Sequence, residues 1–124
     1  MNEPLALVFY EKLLPGQQLV NRLQDLNYRV QAITDAIRLE AEVRQLKPLL
    51  LIAEFPADNP IVRNAIQNLK SDSETGHIPV LAYVGNTDMI SSQNARQAGV
   101  NLIVSETGVL DQLPQLLEQL LQLD

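Results

Sequence analysis

The segment that decides the fold lies at positions 49–53, reads LLLIA and is followed by Glu54. It has the length of one strand and is apolar at every position. An apolar run without alternation predicts a strand that is covered on both faces, as in a parallel sheet flanked by helices. We therefore expect this segment to be the central strand of an α/β domain.

Outward from this segment, strand-length runs alternate with amphipathic stretches along the whole chain. The predicted strands are at positions 5–10, 28–34, 49–53, 78–84 and 102–104. Each is followed by apolar residues at helical spacing. Strands joined by helices run parallel with right-handed crossovers, so the pattern predicts a three-layer, doubly wound (βα)5 domain spanning residues 1–124.

Capping and turn residues predict the helix boundaries. Pro15 and Gly16 predict a loop, and the first helix is expected to end near Asn27. The second helix should begin after Asp35, and its predicted apolar stripe comprises Ile37, Ala41, Val43 and Leu46. The other predicted boundary residues are Asn59 and Pro60, then Thr87 or Asp88 with Gly99, and finally Asp111 with Pro114.

Composition excludes several classes of function. The chain has 124 residues, no cysteine, one histidine (His77) and a formal net charge of −6. Cysteine sites and histidine metal clusters are therefore excluded, and we expect neither a metal nor a cofactor. An acidic surface disfavours binding to nucleic acid or to an anionic membrane. The apolar stretch Leu5–Phe9 is too short for a signal peptide or a membrane span, so we expect a cytoplasmic protein.

Three segments together resemble the receiver domains of response regulators, the CheY-like family. Residues 69–82, LKSDSETGHIPVLA, are similar to the third helix, loop and fourth strand of receivers. Residues 95–100, ARQAGV, are similar to the element before the fifth strand, and residues 23–36 follow the family without gaps. The resemblance covers essentially the whole chain. It implies the flavodoxin-like strand order 2-1-3-4-5.

The same resemblance implies a phosphorylation site, and this sequence departs from it at every position. In the family, an acid pair and an aspartate hold Mg²⁺, that aspartate accepts the phosphoryl group, and a Thr/Ser and a Lys contact its oxygens. The corresponding residues here are Phe9 and Tyr10 with the following Glu11, then Glu54, Val84 and Glu106 (Ser105 if the register shifts by one). Without the acid pair, Mg²⁺ lacks carboxylate ligands. Without the lysine, the negative charge that develops on the transferring phosphoryl group has no cation beside it. We expect a degenerate pseudo-receiver that forms no acyl phosphate at Glu54.

Glu54 itself allows two interpretations. It could act as a permanent stand-in for a phosphorylated aspartate, or it could be a strand-end carboxylate that is solvated or paired, with Lys12 as the candidate partner. A carboxylate carries less charge than a phosphoryl group, which favours the second interpretation.

The predicted function is therefore a phosphorylation-independent interaction module in two-component-type signalling, and not an enzyme. The resemblance implies docking or homodimerisation on the face formed by the fourth helix, the fifth strand and the last helix. Its candidate residues are Met89, Leu102, Leu113, Leu117, Leu120 and Leu121. One alternative is a small-ligand sensor that binds at the carboxyl ends of the strands. Another is an atypical receiver with a weak metal site at Glu11, Glu54 and Asp58.

Overall fold

Strands and helices alternate along the chain in the computed structural model, which describes residues 4–55, 60–85 and 88–122. The elements are β1 (Leu5–Phe9), α1 (Leu13–Asp25), β2 (Arg29–Ile33), α2 (Ala36–Leu46), β3 (Leu50–Glu54), α3 (Pro60–Ser71), β4 (Val80–Val84), α4 (Met89–Ala98), β5 (Leu102–Ser105), α5 (Glu106–Asp111) and α6 (Leu113–Leu121). The strands form one parallel sheet in the order β2-β1-β3-β4-β5. The predicted fold class and strand order are confirmed.

The central strand β3 is buried at all five positions, because helices cover both faces of the sheet. Side chains alternate along a strand, so Leu51 and Ala53 belong to a core with α2, α3 and α4, whereas Leu50 and Ile52 belong to a core with α1, α5 and α6. Glu54 continues the second series. The alternation thus places its side chain on the α1 side of the sheet.

The start of α1 differs from the prediction. Pro15 and Gly16 are part of the helix and are buried, whereas Leu13 and Leu14 before them are exposed. The backbone at Leu14 is extended (φ −115°, ψ 133°), so regular helix begins only after it. The predicted loop at Pro15 and Gly16 is wrong: both residues lie in α1, and Gly16 packs directly against the ring of Tyr10.

The apolar stripe predicted for α2 is also wrong in part. Asp35 caps the helix as predicted by accepting the N–H of Ile37 at 3.0 Å. With the helix starting at Ala36, the residues that face the sheet are Ala36, Leu39 and Val43, at spacings of three and four. Of the predicted stripe only Val43 is buried; Ile37, Ala41 and Leu46 lie on the outer side.

Two short helices replace the single last helix that the sequence predicted. Ser105 caps α5 by accepting the N–H of Gly108 at 3.0 Å, and α5 ends at Asp111. Helix α6 then begins after Gln112, which makes no side-chain cap. Asp111 therefore caps neither helix, because the hydroxyl of Ser105 starts the turn earlier.

Other predicted boundaries agree with the structure. Pro60 opens α3, Asp88 caps α4 by accepting the N–H of Ser91 at 2.9 Å, and Gly99 ends α4 with a left-handed φ of 91°. Asn27 is also left-handed (φ 71°) just after α1. The candidate caps Asn59 and Thr87 lie outside the described residues. Within the described ranges, no helix is long and apolar enough to cross a bilayer.

Gly16 supports a prediction about the entry to α1. A Cβ atom at this position would lie 2.2 Å from Cγ of Tyr10, at the base of a buried ring that cannot swing away. We expect Gly16→Ala to lower the free energy of unfolding by about 1–3 kcal/mol, as measured by urea denaturation. In the control Gly85→Ala, the new Cβ would have only ordinary contacts at 3.5 Å. Equal stability of the two variants would contradict the packing described for Tyr10.

Candidate functional site

Glu54 is the buried acidic residue at the carboxyl end of the sheet, and three groups from other segments of the chain contact its side chain. It is the last residue of β3, and only 7% of its surface is exposed. Its Oε1 atom accepts the backbone N–H of Glu11 at 2.9 Å and that of Lys12 at 3.1 Å. The hydroxyl of Tyr83 on β4 lies 3.5 Å from the same oxygen. The carboxylate therefore joins the segment between β1 and α1 to the middle of the sheet.

The negative charge of Glu54 suits this role. A carboxylate that accepts backbone N–H bonds makes stronger hydrogen bonds than a neutral acceptor. The sequence suggested that the ammonium group of Lys12 would be the partner, and the structure corrects this: the backbone N–H of Lys12 bonds to Glu54. The Nζ atom of Lys12 instead lies 3.9 Å from Oε1 of Glu106.

The two positions expected to correspond to the acid pair are occupied by rings in opposite cores. Phe9 is fully buried with the side chains of α2, α3 and α4, and Tyr10 packs with those of α1 and α6. Val84, at the predicted hydroxyl position, is buried in the same core as Phe9. None of these three side chains carries a carboxylate, the ligand type that Mg²⁺ prefers.

The remaining predicted position has the opposite charge from the receiver pattern. Glu106 begins α5 directly after β5, and its side chain is partly exposed. The ion pair with Lys12 is long and mostly exposed, so it contributes little to stability. Lys12 is also close enough to Asp88 for its charge to help lower the pKa of that carboxyl, after the larger effects of hydrogen bonds from Ser91.

Tyr83 is a participant that the sequence analysis missed. It is fully buried, and this burial raises the pKa of its phenol far above the usual range, with the negative charge of Glu54 adding to the effect. The neutral hydroxyl can donate toward Glu54. Its register partner in the sheet is Glu54 itself, and this pairing could not be read from the sequence alone.

The alternative of a small-ligand site at the carboxyl ends of the strands stays a prediction. Phe9, Tyr10 and Val84 at these strand ends are buried, and Val84 also lines the groove described below. Within the described ranges, no group of three or more His, Asp or Glu residues could hold a metal ion. Asp58, proposed with Glu11 and Glu54 as a weak metal site, lies outside those ranges.

The predicted interface is only partly on the surface. Leu113, Leu117 and Leu120 are core residues, because their spacing of four and three forms the stripe by which α6 packs on the sheet. This corrects their assignment as interface residues. Met89 is 75% exposed, Leu121 is moderately exposed and Leu102 is half-buried. Ile90, at 64% exposed, was missed.

A groove lies between α4 and β5, with a volume of about 340 Å³. It is lined by Met89, Ser92 and Arg96 of α4 and by Ile103, Val104 and Ser105 of β5, among others. Its described lining includes the apolar Val84, the basic Arg96 and the acidic Asp88. Of the predicted interface, Met89 is the residue that lines this groove.

Comparison with solved structures assigns the fold. The chain is similar to a candidate response regulator from Chloroflexus aurantiacus J-10-fl, with a TM-score of 0.84 and 15% identity over 97% of this chain and 98% of that one. It is similar to the chemotaxis protein CheY4 of Vibrio cholerae, with a TM-score of 0.80 and 15% identity over 95% and 98% of the two chains. A response regulator from Thermotoga maritima has a TM-score of 0.78 and 17% identity, over 96% of this chain and 98% of its own.

These likenesses give the chain the fold of a response-regulator receiver domain. The predicted resemblance is thereby confirmed at the level of the fold. No protein-family model matches the chain. No curated protein matches it significantly.

Glu54→Ala tests the role of the carboxylate in the structure. The variant removes the acceptor for two backbone N–H groups, so we expect the free energy of unfolding to fall by about 1–3 kcal/mol. Amide exchange at Glu11 and Lys12 should accelerate as their segment loosens. Glu54→Gln keeps one acceptor oxygen and should lose less, and Glu118→Ala, at an exposed position on α6, should change neither quantity. Unchanged exchange in Glu54→Ala would refute the assigned hydrogen bonds.

The raised pKa of Tyr83 leads us to expect a loss of stability at alkaline pH. Its native pKa is raised, so the folded chain keeps a proton that the unfolded chain releases above pH ~10. The stabilisation is therefore complete below pH ~10 and is lost as the pH rises beyond it. We expect Tyr83→Phe to reduce the slope of unfolding free energy against pH between pH ~9.5 and ~11, measured by urea titration. Tyr28→Phe, at a half-buried phenol, should reduce the slope less; equal slopes in wild type and Tyr83→Phe would contradict the assigned burial.

Proposed function

We propose that the chain is a pseudo-receiver, a phosphorylation-independent protein-interaction module of two-component-type signal transduction, without enzymatic activity and located in the cytoplasm. The observation that carries the proposal is the state of Glu54. The residue at the phosphoacceptor position is buried and accepts two backbone N–H groups, so its carboxylate serves as a structural acceptor.

The surroundings of Glu54 support the same proposal. Phosphoryl transfer needs cations and donors around the transferred group and oxygen ligands for Mg²⁺. Here the acid-pair positions are the packed rings of Phe9 and Tyr10, and the lysine position is Glu106. A phosphoryl group at Glu54 would meet a carboxylate where the receiver pattern has an ammonium group. It would also have to break the hydrogen bonds to Glu11 and Lys12.

Function then depends on the surface. The groove between α4 and β5 supports docking of a signalling partner, since Met89 and Ile90 expose two large apolar side chains at the start of α4. A homodimer through this face and Leu121 is the competing arrangement. The net charge of −6 argues against nucleic acid and anionic membranes as partners.

The test is an amide NMR titration of the domain with Mg²⁺, followed by Mg²⁺ plus beryllofluoride, a mimic of the phosphoryl group. We expect no saturable shifts around Glu11, Glu54, Val84 and Glu106, because among the described residues Phe9 and Tyr10 stand in place of the acid pair and Glu106 in place of the lysine. A phosphorylatable receiver run in parallel verifies the reagents. Saturable shifts clustered at those four residues would overturn the proposal and favour an atypical receiver with its own metal ligands.

A further inference from the structure

On a second surface, away from the groove at α4, large apolar side chains are exposed while the small residues next to them are buried. At the start of α1, Leu13 and Leu14 are 65% and 61% exposed, whereas Pro15 and Gly16 are buried. The extended backbone at Leu14 and the contact of Gly16 with the ring of Tyr10 hold this arrangement in place. Two adjacent leucines facing solvent lose the stabilisation that burial would give each of them.

Leu14 lines a shallow groove between α1 and α5, with a volume of about 320 Å³. Its apolar part is formed by Leu14 and Pro15 of α1 with Leu110 of α5, and two carboxylates, Glu106 and Asp111, lie along α5. None of the residues lining the groove is basic. The surface therefore combines exposed apolar area with negative charge.

We propose that this groove is the docking site for a basic, amphipathic segment of a partner protein. Apolar side chains of the segment would pack on Leu13, Leu14 and Leu110, and its Lys or Arg side chains would face Glu106 and Asp111. The inference rests on the proposed function, for which it names the chemistry of the partner. It also gives Glu106 a use: the carboxylate that replaces the family's lysine attracts a cation from the partner.

The ion pair of Lys12 and Glu106 is compatible with such a partner. The Nζ and Oε1 atoms are 3.9 Å apart, and the lysine side chain is 68% exposed. A loose, exposed pair costs little to exchange. An incoming guanidinium group, which can bond a carboxylate with two N–H donors, forms the stronger contact with Glu106.

Other occupants fit this groove less well. The chain has a net charge of −6 and no basic run, so a symmetric dimer through the groove would bring Glu106 and Asp111 close to the same residues of a second copy. A small molecule would remain largely in solvent, because the groove is shallow and ligand sites enclose most of the ligand's surface. A helical or extended segment can cover the groove and Leu13 together.

This site is separate from the groove between α4 and β5. The core residues of α4 pack on one face of the sheet with α2 and α3, while those of α1 pack on the other face. The two grooves share none of their described lining residues, so a substitution at Leu14 and one at Met89 each alter one groove directly. That separation makes the two docking surfaces distinguishable by experiment.

The test is a selection of displayed 16-residue random peptides on the immobilised full chain, followed by affinity measurement of the enriched peptides. We expect enriched peptides to carry net positive charge and apolar residues at helical spacing. Leu14→Ser should weaken their binding roughly tenfold, since it removes one buried apolar contact. Asp111→Asn should weaken it at low salt and have less effect at high salt. The control Ile37→Ser, at an exposed position outside both grooves, should bind as wild type does.

Three results would overturn the inference. One is the absence of enriched peptides, or the enrichment of acidic ones. Another is binding that Met89→Ser weakens and Leu14→Ser does not, which would place docking on the groove at α4 and leave the proposed function intact. The last is a dimer in sedimentation that Leu14→Ser dissociates, which would make a second copy the occupant. Failure of the proposed function itself has a separate signature, the beryllofluoride shifts around Glu54.

Discussion

The carboxylate of Glu54 and the two backbone N–H groups that it accepts are the interaction on which the functional end of the domain depends. Glu54 lies at the end of β3, and the segment that follows β1 donates the backbone N–H groups of Glu11 and Lys12 to its carboxylate. The lead into α1 is thereby positioned, with Gly16 against Tyr10 and with Leu13 and Leu14 facing outward. One residue thus links the centre of the sheet to the surface that we assign to docking.

Buried side chains occupy the other strand ends at this edge of the sheet. In the receiver pattern the strand ends carry ligands for a cation and a phosphoryl group; here they carry the buried side chains of Phe9, Tyr10 and Val84. Tightly packed interiors have discrete arrangements and resist small changes. This packing supports the proposal that the domain binds its partner without a covalent signal.

The sequence predicted the sheet correctly because its apolar runs have the length of strands and lack the alternation of strands with one exposed face. The run at 49–53 is the clearest of them. By spacing it also assigned Glu54 and Glu106 to the phosphoacceptor and lysine positions, and that assignment stays a prediction. It failed where tertiary contacts override local signals. Pro15 and Gly16 were expected in a loop but lie in α1, where Gly16 packs against Tyr10. Leu113, Leu117 and Leu120 were expected at an interface but are core. Tyr83 and the hydrogen bonds of Glu54 depend on strand register, which a single sequence does not specify.

The proposal that this domain is a pseudo-receiver requires that Glu54 does not accept a phosphoryl group, and this can be measured directly. The intact chain would be incubated with Mg²⁺ and a small-molecule phosphodonor such as phosphoramidate, and its mass recorded over time beside a phosphorylatable receiver. We predict that the mass of this chain stays unchanged while that of the control increases by one phosphoryl group. An adduct of that mass that peptide mapping assigns to Glu54 would show that Glu54 accepts a phosphoryl group and would refute the proposed pseudo-receiver.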